Sequence, residues 1–193
     1  QDAVGDRMTV MVDANQAQSS GTWQPGIQWD FQRAMNTAMA LDAMGCFWLE
    51  EPRLRYAYKE LSLINNAVAM PLAGGENNVG IHEFVDMIEQ NVYDVLQPEG
   101  MVLSGITTLK KIGALAQMHN KQIVPHHGGG NIGVIAHMHL VASWPHAPFM
   151  ELLNDPPIGA YTNGFSIMGN HPVVKDGYID LPQGPGLGVE IDP

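Results

Sequence analysis

The sequence carries one cysteine, Cys46, in 193 residues. A lone thiol excludes an internal disulfide framework and suits a reducing cytoplasm. Cys46 opens an apolar run and reads as a small core residue. Positive charge is scarce as well. Nine Lys and Arg stand against 20 Asp and Glu, for a formal net charge of −11. That balance argues against nucleic acid and against an anionic membrane as partners, because both need basic patches. No apolar run approaches the roughly 18 residues of a membrane span. No signal peptide is visible. The chain begins at Gln1 rather than at a methionine, so its natural start is expected upstream. No G-x-x-x-x-G-K-[ST] occurs, which removes a P-loop, and no repeat suggests a solenoid.

What is present is a repeated device: an apolar run that ends in an acid. Cys46-Phe47-Trp48-Leu49 runs into Glu50-Glu51 and stops at Pro52. A short apolar run of this kind fits a strand buried on both faces. Met8-Thr9-Val10-Met11-Val12 ends in Asp13, with Asn15 two residues on. Met70-Pro71-Leu72-Ala73 leads through Gly74-Gly75 into Glu76-Asn77. Three strand ends thus deliver three acids.

In chain order, strands are expected at 8–13, 46–50, 68–73, 92–97, 122–125 and 148–150. Helices of 3.6 period fall between them at 27–44, 56–66, 80–91, 106–120 and 131–143, with Gly45 placed to end the first. Regular β-then-α alternation with short connections predicts an α/β fold with parallel strands and right-handed crossovers. The strands lead into Asp, Glu or His, or into Pro followed by Glu, which is the polarity of a barrel whose strand ends share one mouth. A closed barrel has eight strands and six are counted. Either two precede the chain or the sheet is open. Residues 1–151 are therefore expected to form a partial barrel. Residues 152–193 are turn-rich and hold a small hairpin around Lys175-Asp176-Gly177, expected to pack back on the barrel or on a cap.

Taken together, Val12-Asp13-Ala14-Asn15-Gln16, Trp48-Leu49-Glu50-Glu51-Pro52, Gly75-Glu76-Asn77, Gln97-Pro98-Glu99, Val124-Pro125-His126 and Phe149-Met150-Glu151 resemble the mandelate racemase and muconate lactonising branch of the enolase superfamily. The match runs over residues 4 to 190 in the right order. The resemblance implies an N-terminal α+β capping domain followed by a modified (β/α)7β barrel of the TIM type. This chain corresponds to that barrel from its third strand onward. The capping domain, the first two strands and a Lys-x-Lys base motif would then lie upstream of Gln1, or in a separate segment.

The resemblance also implies roles. Asp13, Glu50 and Glu76 are the expected ligands of Mg2+, a hard cation that takes carboxylate oxygens and water. Any one of them alone reads as a solvated loop acid. Glu51 competes with Glu50, but neighbours on a strand face opposite ways and the family pattern selects Glu50. His126 is the expected base, taking a proton from the carbon alpha to a carboxylate. Glu99 stands where the family usually has Asp and is expected to orient that histidine. Glu151 matches a position that donates a hydrogen bond to the substrate carboxylate, and reads equally well as an N-cap or exposed acid. Asn15, Asn77 and His127 are expected beside the ligands or the substrate. His137 and His139 read as helix packing or surface residues, and Gly128–Gly130 as a flexible turn.

The function so implied is magnesium-dependent abstraction of an alpha proton from a small carboxylate, through a metal-stabilised enediolate. No lysine follows Glu99, where the run is Gly100-Met101-Val102, so the branch that uses a lysine there is disfavoured. An acid-sugar dehydratase heads the readings. The alternatives are a racemase or epimerase of a 2-hydroxy acid, and a non-catalytic metal-binding relative. The resemblance further implies a homo-oligomer.

Overall fold

The computed structural model describes residues 3, 5–17, 27–126, 132–165, 168–169 and 171–191. Five short strands form one parallel sheet. They are β1 (Val12–Asp13), β2 (Leu49–Glu50), β3 (Leu72–Gly74), β4 (Val95–Leu96) and β5 (Gln122–Ile123), and they lie side by side in chain order. Between and after them run α1 (Phe31–Ala43), α2 (Tyr58–Asn65), α3 (Gly80–Glu89), α4 (Gly105–Met118) and α5 (Ile132–Ala142). This is the wall of a β/α barrel. Among the described residues no helix is long and apolar enough to cross a membrane.

Strand alternation sorts the side chains into two layers. Leu49, Leu72, Leu96 and Ile123 face the helices and share a core with Ala34, Ala38, Leu61, Phe84, Leu109 and Ile112. Trp48, Ala73, Val95 and Val124 face the other way and form a separate cluster, with Met11 against it. Asp13, Glu50, Gln97 and His126 each lie two residues beyond Met11, Trp48, Val95 and Val124. Register pairs Asp13 with Glu50 and Glu50 with Ala73. The parity that fills the inner layer with apolar groups therefore ends it, at the carboxyl edge, in a row of polar ones.

Two expectations change. The expected helix 27–44 starts at Phe31 because Asp30 caps it, its carboxylate accepting from the Arg33 amide at 2.7 Å. The expected strand at 148–150 is not formed, and among the described residues the sheet has five strands. The chain does pass beside β5, where the Ile123 amide donates to the His146 carbonyl at 3.2 Å. Pro145 and Pro148 flank that bond and have no N–H to extend a ladder. Phe149 instead packs edge-on against Phe47 and Trp48, with ring centroids 5.5 and 6.0 Å away.

Helix α5 is apolar around most of its girth. Leu140 joins the helix-side core, while Val134, Ile135 and Met138 form a second cluster with Phe165 and Met168. Met150, Leu152, Ile179 and Leu181 pack onto that second cluster. The hairpin pairs Val174 with Ile179 and Lys175 with Tyr178 across Asp176-Gly177.

Candidate active site

The polar row at the carboxyl edge gathers around His126, which stands just past β5. Its Nδ1 is 2.8 Å from Oε2 of Glu99, and its Nε2 is 3.3 Å from Oε2 of Glu76. Three strand ends thus meet on one imidazole. Glu99 is fixed at its other oxygen as well, where Oε1 accepts from the Met101 amide at 2.6 Å. It caps the π-helical turn Gly100–Ser104 that follows β4. The extra methylene of Glu, relative to Asp, is taken up by this double attachment.

Glu76 reaches inward for a local reason. It lies three residues beyond the inner Ala73, so strict alternation would turn it away. Gly75 has φ +117, a conformation that side chains rarely adopt, and this breaks the alternation. Asn77 donates to Oε1 of Glu76 at 3.1 Å. On β1, Oδ1 of Asp13 accepts from the Asn15 amide at 2.8 Å, and the Asn15 side chain donates to Oδ2. Both asparagines therefore hold carboxylates in place. Glu151 is half-buried at the same mouth, and its charge acts on both Glu50 and His126. His127 lies outside the described residues.

The acids are crowded. Burial raises Glu50 to about 8, with the charge of Asp13 adding and the Gln97 amide opposing. Asp13 stands on the solvent rim, yet enclosure by packed protein raises it to about 6; the Asn15 amide opposes and Glu76 adds. Burial pushes Glu51 well above the usual carboxylate range, and the charges of Glu76, Asp13 and Glu50 add to this. Burial opposes charge on His126, but the Glu99 hydrogen bond and the carboxylates of Glu76 and Glu151 outweigh it and raise the imidazole to about 9. Burial likewise works against the Glu99 anion. The bonds from His126 and Met101 win, and hold it below its ordinary value.

Two neighbours carry no ligand or catalytic role in the sequence reading. Gln97 lies in the inner register of Glu50 and His126, and that two-residue spacing from Val95 was its signal. Glu51, expected behind Glu50, has φ +42 and is only 1% exposed. Both its carboxylate oxygens are buried with no hydrogen-bond partner among the described residues.

These features test the site against a cation. Among the described residues, no lysine or arginine forms an ion pair with Asp13, Glu50 or Glu51. Nor are three His, Cys, Asp or Glu side chains gathered closely enough among them to hold a metal ion; the Glu76 carboxylate leans on His126 instead. The donor chemistry of Asp13, Glu50 and Glu76 nevertheless fits a hard dication, with carboxylate oxygens and mutual repulsion, and the unsatisfied buried oxygens of Glu51 lie beside them.

A parallel β/α wall with acids and a histidine along its carboxyl edge defines a TIM-barrel-type domain. Residues 1–193 match the enolase C-terminal domain-like family, so the chain belongs to the enolase superfamily, in its mandelate racemase/muconate lactonising group. It is 30% identical over 150 residues to L-talarate/galactarate dehydratase of Salmonella typhimurium, covering 78% of this chain and 34% of that protein. It is 28% identical over 192 residues to 3,6-anhydro-alpha-L-galactonate cycloisomerase of Streptomyces coelicolor, covering 98% of this chain and 46% of that one. The crystal structure of L-talarate dehydratase from a Polaromonas species, complexed with Mg and L-glucarate, superposes with a TM-score of 0.81 at 26% identity. That match covers 98% of this chain and 46% of the other. The chain thus spans less than half the length of these relatives.

Proposed function

We propose that this chain is the catalytic half of an enzyme that removes the alpha proton of an acid sugar and expels a beta hydroxyl, a dehydratase. The observation that carries this reading is the Glu99–His126–Glu76 line, 2.8 and 3.3 Å long, beside Asp13 and Glu50. In it, Glu99 accepts from Nδ1 and so directs Nε2 of His126 toward the site as the proton acceptor. Asp13, Glu50 and Glu76 would hold Mg2+, with Asn15 and Asn77 keeping their carboxylates oriented. When bound, the cation supplies the positive charge this site lacks and draws charge from the substrate carboxylate as the alpha carbon is deprotonated. With Glu76 serving as a ligand, its charge would be shared with the cation and its share in raising His126 would diminish, while Glu99 would go on holding Nδ1. Glu151, half-buried at the mouth, would take the role the family pattern implies, donating a hydrogen bond to the substrate carboxylate. Residues 152–193 would brace this half through α5.

The similarity to dehydratases and to a cycloisomerase supports alpha-proton chemistry. The substrate class follows from relatives that act on talarate, galactarate and related acids. The test uses the full-length protein with magnesium and a panel of acid sugars in D2O. Deuterium at the alpha carbon together with loss of water supports the dehydratase. Exchange without loss of water points to a racemase or epimerase. No exchange with any acid contradicts the reading and favours a non-catalytic metal-binding relative.

A further inference from the structure

We propose that His137 is a positioning residue for the Glu99–His126 pair, acting on His126 through Glu99. The inference rests on the reading of His126 as the base.

His137 comes from α5, the helix that follows His126, and is 1% exposed. Its Nε2 lies 3.9 Å from Oε1 of Glu99, the oxygen that also accepts from Met101. A packing histidine would sit against apolar neighbours, whereas this one points a ring nitrogen at a buried carboxylate. The approach depends on Gly100. A Cβ at that position would stand 2.6 Å from Nε2 of His137 and 2.9 Å from Cδ2 of Leu109. Gly133, on α5 itself, leaves equivalent room for the Met101 side chain. Two bare backbones thus let α5 seat on the turn that Glu99 caps. Burial lowers the His137 pKa, so the ring is neutral and acts through an N–H dipole. The tautomer with its proton on Nε2 aims that dipole at Oε1.

The consequence is mechanical. Met101 holds Oε1 by a hydrogen bond from one side, and the His137 dipole, 3.9 Å off and too far for a hydrogen bond, bears on the same oxygen from behind; together they bias where Oε2 meets Nδ1 of His126. Glu has one more rotatable bond than Asp, and an added support removes the freedom that bond introduces.

The test uses the full-length, magnesium-saturated protein and two readouts. The first is the histidine-ring 15N spectrum, which reports the Nδ1 proton of His126. The second is alpha-proton exchange of galactarate in D2O. In His137→Phe the Nδ1 proton signal should weaken, and kcat for exchange should fall about tenfold with KM held within about twofold. His137→Gln, which keeps a donor, should restore both. Gly100→Ala should reproduce the His137→Phe result with the histidine still present, and it covers the case in which His137→Phe does not fold. Unchanged His126 signals in both His137→Phe and Gly100→Ala would overturn the proposal. So would equal losses in the Phe and Gln variants, since packing alone would produce that. A responding spectrum in a protein that exchanges no acid would retire the proposed reaction and leave the positioning role standing.

Discussion

Replacing Glu99 by Gln removes one charge and almost no volume. In the native site Oε1 accepts from the Met101 amide at 2.6 Å and Oε2 from Nδ1 of His126 at 2.8 Å. Both partners donate, so Glu99 must accept twice. A glutamine has one acceptor and one NH2 group. If its oxygen stays on Met101, its NH2 faces Nδ1, and His126 must move its proton to Nε2. The nitrogen that faces Glu76 then has no lone pair to receive a substrate proton. If the oxygen turns to His126 instead, two donors collide at Met101. Either way one charge-assisted hydrogen bond is lost, worth about 1.5–3 kcal/mol, or a ~10- to 150-fold fall in rate. The assay is alpha-proton exchange at saturating acid sugar and magnesium, with thermal melting to show that the fold is intact. Glu99→Asp keeps the charge but is too short to hold both donors, and should fall between Gln and wild type. A Gln variant that is folded and exchanges within about twofold of wild type would refute the argument.

Other consequences can be checked separately. Glu76→Gln should weaken magnesium binding by about tenfold or more in calorimetry, as loss of a charged ligand requires; unaltered affinity removes Glu76 from the ligand set. Gly113→Ala should destabilise the fold by about 1–3 kcal/mol in a urea melt followed by tryptophan fluorescence, because its Cβ would lie 2.5 Å from Cε2 of Trp144. The buried His137 should make stability depend on pH. Its folded pKa is lowered from 6.5, so below that pH the unfolded chain takes up a proton that the folded chain refuses. This contribution is present above pH 6.5 and fades as pH falls below it. His137→Gln should therefore flatten the stability–pH curve on the acid side of 6.5, and an identical slope would contradict a buried neutral ring.

The repeated motif of an apolar run ending in an acid carried most of the fold. Leu49, Leu72, Leu96 and Ile123 needed only burial on both faces to read as parallel strands, and helical period located the five helices. Their ends were less legible. Asp30 caps α1, which begins at Phe31, four residues later than periodicity alone suggests. Prolines 145 and 148 turn an expected strand into an extended segment pinned by aromatic contacts. At the site, Asp13, Glu50 and His126 stand at strand ends in the inner register, although parity alone left Glu50 and Glu51 open and the family pattern chose between them. Glu76 does not, since it comes inward only because Gly75 breaks the parity. The partnership of Glu99 with His126 was expected from the family pattern, whereas its second anchor on Met101 was not. That anchor depends on a π-helical turn, which no periodicity announces. His137 was read, with His139, as helix packing or surface because two residues two apart on a helix share no face, and its approach to Glu99 depends on a missing Cβ at Gly100, in the turn before α4.

The most direct test of the central claim is exchange of the substrate alpha proton with D2O by the full-length His126→Asn variant, with magnesium affinity measured on the same sample. Wild-type protein should exchange the proton, and the variant should bind magnesium as wild type does while its exchange falls to the uncatalysed rate. Retained exchange in a folded, magnesium-bound variant would contradict the assignment of His126 as the base.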